Sequence, residues 1–169
     1  VMSMYEKGLM SGTSSNMFSP YLTTTRGMIV TILYRMEGSP AVSGASSFQD
    51  VKADAYYNSA VIWAAANGIV TGVSSTQFCP DNAITREQFA AILFRYAQYK
   101  GMDAVTAEEN LAAFPDGGSV SGYAVSAMNW AVGAGLLRGD ASGLLMPKGE
   151  ANRAQAAAML NRFIENVLK

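Results

Sequence analysis

Hydrophobic residues recur with helical spacing in three stretches of the chain, where the apolar side chains fall on one face. The three stripes are Ile29, Val30, Ile32, Leu33, Met36, then Phe89, Ala90, Ile92, Leu93, Tyr96, then Ala156, Ala157, Met159, Leu160, Phe163. A residue that commonly caps helices precedes each stripe: Thr25, Thr85 or Asn152. The pattern therefore predicts three amphipathic helices. In the second, Gln88 completes a capping box with Thr85.

A shorter apolar stretch precedes the second and third of these helices. We expect a helix over about 55–67, with Asp54 as its N-cap and Gly68 as the left-handed residue that ends it. The corresponding third stretch runs through Tyr123 to Ala131, and Trp63 and Trp130 occupy equivalent positions. We interpret both indoles as core residues. Each unit thus reads as helix, turn, longer helix.

The turn carries a pattern that occurs three times. Glycine pairs occur at 8 and 12, at 68 and 72, and at 135 and 139. From the second glycine, each copy has an apolar residue six positions on, a proline eight on and an arginine fourteen on. We therefore predict three repeats, at 1–38, 48–101 and 114–167. Because Val1 aligns with Val61, we expect the first repeat to be truncated at its N-terminus.

A single helical hairpin of this size cannot bury its apolar stripe, so the copies must pack on one another. We expect an all-α fold in which three hairpin repeats close into a pseudo-threefold, three-lobed bundle with a central three-helix core. An open solenoid is the alternative. Three short repeats without polar caps favour closure.

Composition narrows the functional classes. The formal net charge is −1, with 12 basic and 13 acidic residues, which does not fit a nucleic-acid binder. No apolar run is long enough for a membrane span. The chain has no histidine, which is the commonest general base and metal ligand. It has a single cysteine, Cys79. We expect no catalytic residue, no metal and no cofactor.

An arginine occupies the first helical position in every copy: Arg26, Arg86 and Arg153. A cation there is mildly unfavourable, because helix starts carry partial positive charge. The repeated anomaly favours a functional reading, in which helix-end amides and a guanidinium converge on an anion. A second arginine follows nine residues later, at 35, 95 and 162. There we expect only a structural role, since a cation complements the C-terminal end of a helix.

Aromatic and acidic side chains supply further candidates. Tyr56, Tyr57 and Tyr123 open the shorter helices, where they either stack on sugar rings or pack in the core. Asp50 and Asp116 each follow a phenylalanine by two positions. For them a turn or capping role comes first, and a contact with a ligand hydroxyl comes second.

Taken together, these motifs resemble the S-layer homology repeat. The second copy matches best, through Phe48-Gln49-Asp50-Val51, Tyr56-Tyr57, the turn at 68–72 and the helix opening at 84–86. The resemblance implies a bacterial cell-wall anchoring module whose inter-repeat grooves bind an anionic, often pyruvylated, secondary cell-wall polysaccharide. It assigns the grooves to Arg26, Arg86 and Arg153 and to Gly12, Gly72 and Gly139. Thr25, Thr85 and Asn152 would then be supporting caps.

The resemblance also sets the partners and the rival functions. It implies a surface location and covalent fusion to a larger secreted protein, which we expect N-terminal to Val1. The glutamate of the family motif is replaced by Met28, Gln88 and Gln155. A wall-active glycosidase using paired carboxylates and a purely structural lattice or protein-interaction array are the alternatives.

Overall fold

A computed structural model describes residues 2–14, 17–102, 104 and 110–168. Six α-helices occur there, and no strand occurs within these ranges. The helices are α1 (Met2–Glu6), α2 (Arg26–Met36), α3 (Asn58–Ala66), α4 (Arg86–Tyr99), α5 (Val125–Gly133) and α6 (Arg153–Asn166). Short 3-10 turns span Asn110–Ala113, Gly117–Ser119 and Gly122–Ala124. The predicted all-α class is confirmed.

The three longer helices, α2, α4 and α6, begin at the predicted arginines and carry the predicted caps. Thr25, Thr85 and Asn152 each accept a hydrogen bond from the backbone N–H three residues on. In α4 and α6 the side chain of Gln88 or Gln155 also accepts from the cap residue's own N–H, which completes a capping box. Met28 cannot do so, and α2 retains only the threonine cap.

The shorter helices begin later than predicted. α3 starts at Asn58 with Tyr57 as its N-cap residue, and no side chain caps it, so the prediction of Asp54 as N-cap is wrong. The reason is that Ala55 and Asn58 are held in successive turns by hydrogen bonds to the carbonyls of Lys52 and Ala55. The end of the helix is as predicted, because Gly68 has a φ of 67°.

Backbone hydrogen bonds connect the three copies in a cyclic order. Immediately before the longer helices, the Thr24 N–H donates to the Ala151 carbonyl at 2.9 Å, Ala151 to Ile84 at 2.9 Å, and Ile84 to Thr24 at 2.9 Å. The three residues occupy one register of the repeat and are at most 2% exposed. This closed set supports the predicted pseudo-threefold arrangement over an open solenoid, in which the first and last copies would not meet.

Helix packing follows the same order, since each shorter helix packs on the longer helix of the preceding copy. Helix α3 contacts α2, α5 contacts α4, and α1 contacts α6. Trp63 and Trp130 are buried, as predicted. The Tyr96 and Phe163 rings join α4 to α6 with centroids 5.7 Å apart. No helix among the described residues combines the length and apolar character that a membrane crossing requires.

Candidate binding grooves

The arginine at the start of each longer helix reaches across to the glycine turn of the next copy. Arg26 donates from Nε to the Phe78 carbonyl at 2.8 Å and from Nη2 to the Thr71 carbonyl at 3.5 Å. Its guanidinium carbon also lies 4.6 Å from the centroid of the Phe78 ring. Arg26 is only 6% exposed. Copy 1 is thereby fastened to copy 2.

The same contacts recur at the other two junctions. Arg86 donates from Nε to Leu145 at 2.7 Å and from Nη2 to Arg138 at 3.0 Å. Arg153 donates from Nε to Phe18 at 2.9 Å and from Nη2 to Ser11 at 2.6 Å. Copy 3 therefore returns to copy 1. Burial lowers the pKa of all three guanidinium groups.

The backbone amides at these helix starts are already occupied. In α2 the N–H of Arg26 donates to the Asn82 carbonyl at 3.1 Å, and the N–H of Gly27 donates to Pro80 at 2.8 Å. The amides of α4 and α6 make equivalent bonds with the next copy. Helix-end amides are therefore not free to converge on an anion, and the predicted contribution of these amides to an anion site is wrong. The side-chain nitrogens remain as candidates.

A left-handed residue shapes the loop that receives each arginine. Ser19, Cys79 and Met146 have φ values of 51°, 55° and 51°, although none is glycine. Each follows the residue whose carbonyl accepts from the arginine Nε and precedes the proline of the repeat. Such a conformation costs on the order of 1 kcal/mol in a non-glycine residue. This left-handed conformation recurs at the same position of the repeat in all three copies.

Asp50 and Asp116 hold two of these loops in place. The Asp50 carboxylate accepts from the Phe78 and Cys79 N–H groups at 2.9 and 2.6 Å. Asp116 accepts from the equivalent amides of its own copy, those of Leu145 and Met146, at 2.9 and 2.7 Å. Burial raises the pKa of each carboxyl group, but these hydrogen bonds outweigh it and leave the pKa lowered. Both aspartates thus fill the turn role that was expected first.

The second glycine of the first and second pairs is required by space. A Cβ at Gly72 would lie 2.1 Å from the Ser74 carbonyl oxygen and 2.5 Å from that of Gln77. A Cβ at Gly12 would lie 2.7 Å from the carbonyl oxygen of Ser14. Only glycine lets the turn fold back so closely.

Three cavities open where the copies meet, and we number them by the copy that supplies the glycine turn. Groove 1 is lined among others by Gly12, Met28, Thr31, Arg35, Tyr56 and Arg153. Groove 2 is lined by Arg26, Gly72, Gln88, Ala91, Arg95 and Tyr123. Groove 3 is lined among others by Arg86, Arg138, Gly139, Asp140, Glu150, Gln155 and Arg162. Each encloses about 310–370 Å³, which suits a small ligand.

The second arginines, at 35, 95 and 162, line these grooves, although the sequence reasoning gave them only a structural role. Arg35 does lie in the last turn of its helix, but Arg95 and Arg162 do not, because α4 and α6 extend further. The helix-end explanation is therefore wrong for these two. The signal that could have identified them was their recurrence nine residues after each helix start.

That spacing assigns the two arginines of one helix to different grooves. Nine residues correspond to about two and a half turns, so the two side chains leave on opposite faces. From α4, Arg86 enters groove 3 and Arg95 enters groove 2. Each groove accordingly receives a helix-start arginine and a second arginine from two different helices, and Arg138 also lines groove 3.

The three predicted tyrosines separate into two groups. Tyr56 and Tyr123 are 60% and 57% exposed and line grooves 1 and 2. Tyr57 is buried and packs on α2, where a Cβ added to Gly27 would lie 2.9 Å from its ring. The Tyr57 hydroxyl donates to Asp81 at 3.3 Å. Only Tyr56 and Tyr123 are therefore placed to meet a ligand.

A buried carboxylate fixes the position of Tyr123. Glu87 is 3% exposed and accepts from the Tyr123 hydroxyl at 3.2 Å, from Lys148 Nζ at 2.7 Å and from Ser121 Oγ and N–H at 2.9 Å each. Burial and the Glu87 charge raise the pKa of Tyr123 to about 12. Glu87 has no counterpart in the other copies, where Gly27 and Ala154 occupy its position.

The caps and the two aspartates lie outside the cavities. Thr25, Thr85 and Asn152 point their side-chain oxygens at helix amides, and they are not among the lining residues. The glycines and the helix-start arginines line all three grooves. Their role in binding stays a prediction.

Comparison with known proteins agrees with the three repeats predicted from the sequence. A family model for the S-layer homology domain matches residues 1–27, 47–90 and 113–157. A surface-layer 125 kDa protein of Lysinibacillus sphaericus is 34% identical over 170 residues, covering 99% of this chain and 14% of the relative. An endoglucanase of Bacillus sp. (strain KSM-635) is 33% identical over 164 residues, which cover 97% of this chain and 17% of the relative.

A more distant relative is a cellulosome-anchoring protein of Acetivibrio thermocellus. It is 22% identical over 165 residues, covering 92% of this chain and 35% of that protein. The chain therefore spans a minor part of the length of each of these relatives.

Proposed function

Because this chain belongs to the S-layer homology domain family, we propose that it is a cell-wall anchoring module that binds polysaccharide in its inter-repeat grooves. One observation carries the proposal: an arginine pair, a glycine turn and a helix wall recur at one register in all three grooves. The helix-start arginine of each groove also fastens two copies together, but that packing role does not explain the second arginine. A repeating ligand suits three similar grooves.

The arginines favour an anionic polymer. The helix-start arginines donate from Nε and Nη2 to backbone carbonyls. This leaves the Nη1 amino group of Arg26, Arg86 and Arg153 to donate to a carboxylate. The family resemblance suggests a pyruvylated N-acetylmannosamine unit, whose ketal carries one carboxylate. Tyr56 and Tyr123 offer exposed rings for a sugar face.

The engaged carboxylates support a non-catalytic role. Glycoside hydrolysis needs two carboxyl groups facing each other across a cleft. Asp50 and Asp116 are bound to loop amides, and Glu87 is buried among four donors. In groove 3, which Asp140 and Glu150 both line, Asp140 Oδ1 is likewise engaged by the Ser142 and Leu144 amides. The enzyme names among the relatives fit this view if catalysis resides in other parts of those longer chains.

As an anchor, the module would hold a larger secreted protein at the bacterial surface. The names of two relatives, a surface-layer protein and a cellulosome-anchoring protein, agree with this use. The cargo would occupy the remaining length of the parent protein.

Co-sedimentation with purified cell-wall sacculi tests the proposal. We expect the protein to pellet with intact sacculi, to stay in solution after acid removes the secondary polysaccharide, and to be released by the free polysaccharide. Equal pelleting with stripped sacculi would disprove polysaccharide binding and favour a protein partner. Pelleting without sacculi would indicate self-assembly into a lattice.

A further inference from the structure

Groove 2 contains two arginines that face one cavity without a compensating carboxylate. Arg26 comes from α2 and Arg95 from α4, and no acidic residue lines this cavity within the described part of the chain. The ion pairs found among the described residues, Lys100 with Glu37 and Lys148 with Glu87, involve neither arginine. The described lining residues therefore carry two positive charges and no negative charge, and Asp50 acts on Arg26 only from outside the cavity.

Arg95 is the less constrained of the two. Arg26 is 6% exposed and is held by the carbonyls of Phe78 and Thr71, whereas Arg95 makes no side-chain hydrogen bond to any described residue. The two charges are close enough for Arg95 to lower the pKa of Arg26, after the larger effect of burial. A free guanidinium beside a fixed one is suited to closing on a planar carboxylate.

Two further lining residues supply groups that suit a sugar ring. Tyr123 presents an exposed ring whose hydroxyl is held by Glu87, so the ring is fixed before any ligand binds. Glu87 is buried and does not line the cavity, and Lys148 pairs with its charge. Gln88 adds a neutral amide to the lining.

Groove 3 differs in each of these respects. Asp140 and Glu150 line it beside three arginines, Arg86, Arg138 and Arg162, so acidic groups offset part of its positive charge. Arg162 donates from Nη1 to the Leu136 carbonyl at 3.1 Å, which reduces its freedom. No tyrosine is among its lining residues. Groove 1 resembles groove 2 in having two arginines and Tyr56, but Met28 replaces the Gln88 amide.

We infer that groove 2 is a two-arginine clamp for the carboxylate of an acidic sugar, in which Arg95 is the ligand-binding cation and Tyr123 carries the ring. Groove 3 has one net positive charge among its lining residues, whereas groove 2 has two, and groove 3 binds this ligand poorly. The inference rests on the proposed polysaccharide-binding function, and it assigns that function to particular grooves and to a residue outside the helix-start motif.

Backbone amide signals in 15N–1H NMR spectra can report on each groove separately, through Gly12, Gly72 and Gly139. The probe is the methyl glycoside of 4,6-pyruvylated N-acetylmannosamine, and its neutral parent sugar is the control. We expect the Gly72 signal to move on titration with the acidic sugar and the Gly139 signal to stay. The neutral parent should move Gly72 only at roughly tenfold or higher concentration, since it lacks the charge-assisted bonds.

Two matched variants complete the test. Arg95→Ala should weaken the response of Gly72 by roughly tenfold, whereas Arg162→Ala, at the same register in groove 3, should leave it unchanged. Circular dichroism checks that both variants stay folded, and Arg95→Lys, which keeps the charge without the planar fork, should fall between wild type and Arg95→Ala.

The outcomes separate the two levels of the proposal. If Gly72 responds equally in Arg95→Ala and wild type, or if Gly139 responds with the affinity of Gly72, the clamp assignment is wrong while polysaccharide binding survives. If wild-type protein fails to bind both the sugar and intact sacculi, the proposed function itself is wrong.

Discussion

Replacing Arg153 by methionine tests whether the arginines at the helix starts hold the three copies together. Arg153 donates hydrogen bonds of 2.6 and 2.9 Å to Ser11 and Phe18, and its guanidinium lies 4.6 Å from the Phe18 ring centroid. These bonds join residues that are 142 and 135 positions apart in the chain. Methionine keeps an unbranched apolar chain in the same space but removes all the donors.

The magnitude follows from these contacts. A hydrogen bond from a charged donor contributes about 1.5–3 kcal/mol, and a guanidinium over an aromatic ring adds roughly 0.5–2 kcal/mol. Removing the charge also removes its desolvation cost, which offsets part of the loss. We expect Arg153→Met to lower the free energy of unfolding by about 3 kcal/mol. Arg86→Met should cost about 2 kcal/mol, because Leu145 replaces the ring there.

Urea denaturation followed by helical circular dichroism measures both values. Arg35→Met is the matched control, since Arg35 is exposed and makes no side-chain hydrogen bond to a described residue. Its effect should stay within about 0.5 kcal/mol. An Arg153→Met loss below about 1 kcal/mol, or one no larger than that of Arg35→Met, would falsify the view that this arginine fastens copy 3 to copy 1.

Three further predictions concern the turn, the loop aspartate and the buried glutamate. Gly72→Ala should lower the melting temperature by roughly 5 °C or more, because its Cβ would collide with two carbonyl oxygens; Gly118→Ala, which has open space, should not. Asp50 has a lowered pKa, so its contribution to stability is complete above the unfolded-state pKa of about 3.9 and is lost as the pH falls through the lower folded-state pKa. In urea titrations from neutral to acidic pH, the free energy of unfolding of Asp50→Asn should therefore fall less than that of the wild type. Glu87→Gln should bring the pKa of Tyr123 down from about 12 toward its ordinary value, visible as an earlier phenolate transition in a spectrophotometric titration; an unchanged transition would contradict the assigned contact.

Local sequence signals were sufficient for much of the fold. The starts and caps of the longer helices, the left-handed Gly68 and the all-α class followed from residue types at fixed spacings, and the family resemblance is confirmed. The start of α3 did not follow. Asp54 looked like a cap, but Tyr57 packs on Gly27 of another copy, and a local pattern does not contain that contact.

The site was predicted less completely, because it is assembled from different copies. Arg95 and Tyr123 meet in groove 2 although they lie on different repeats, and neither residue's immediate neighbours indicate the other. The second arginines were set aside because a cation near a helix end has a sufficient local explanation. Whether a side chain is already engaged, as Asp50 is with two loop amides, depends on the tertiary arrangement.

The closed set of backbone hydrogen bonds among Thr24, Ile84 and Ala151 has a mechanical consequence. In a linear array the terminal repeat is held by one neighbour, so tension can peel the repeats away one after another. In a ring each copy is held by two neighbours, and pulling out any one of them requires two junctions to break at once. A module that transmits load from a surface protein to the wall would then fail as a unit rather than by progressive unzipping.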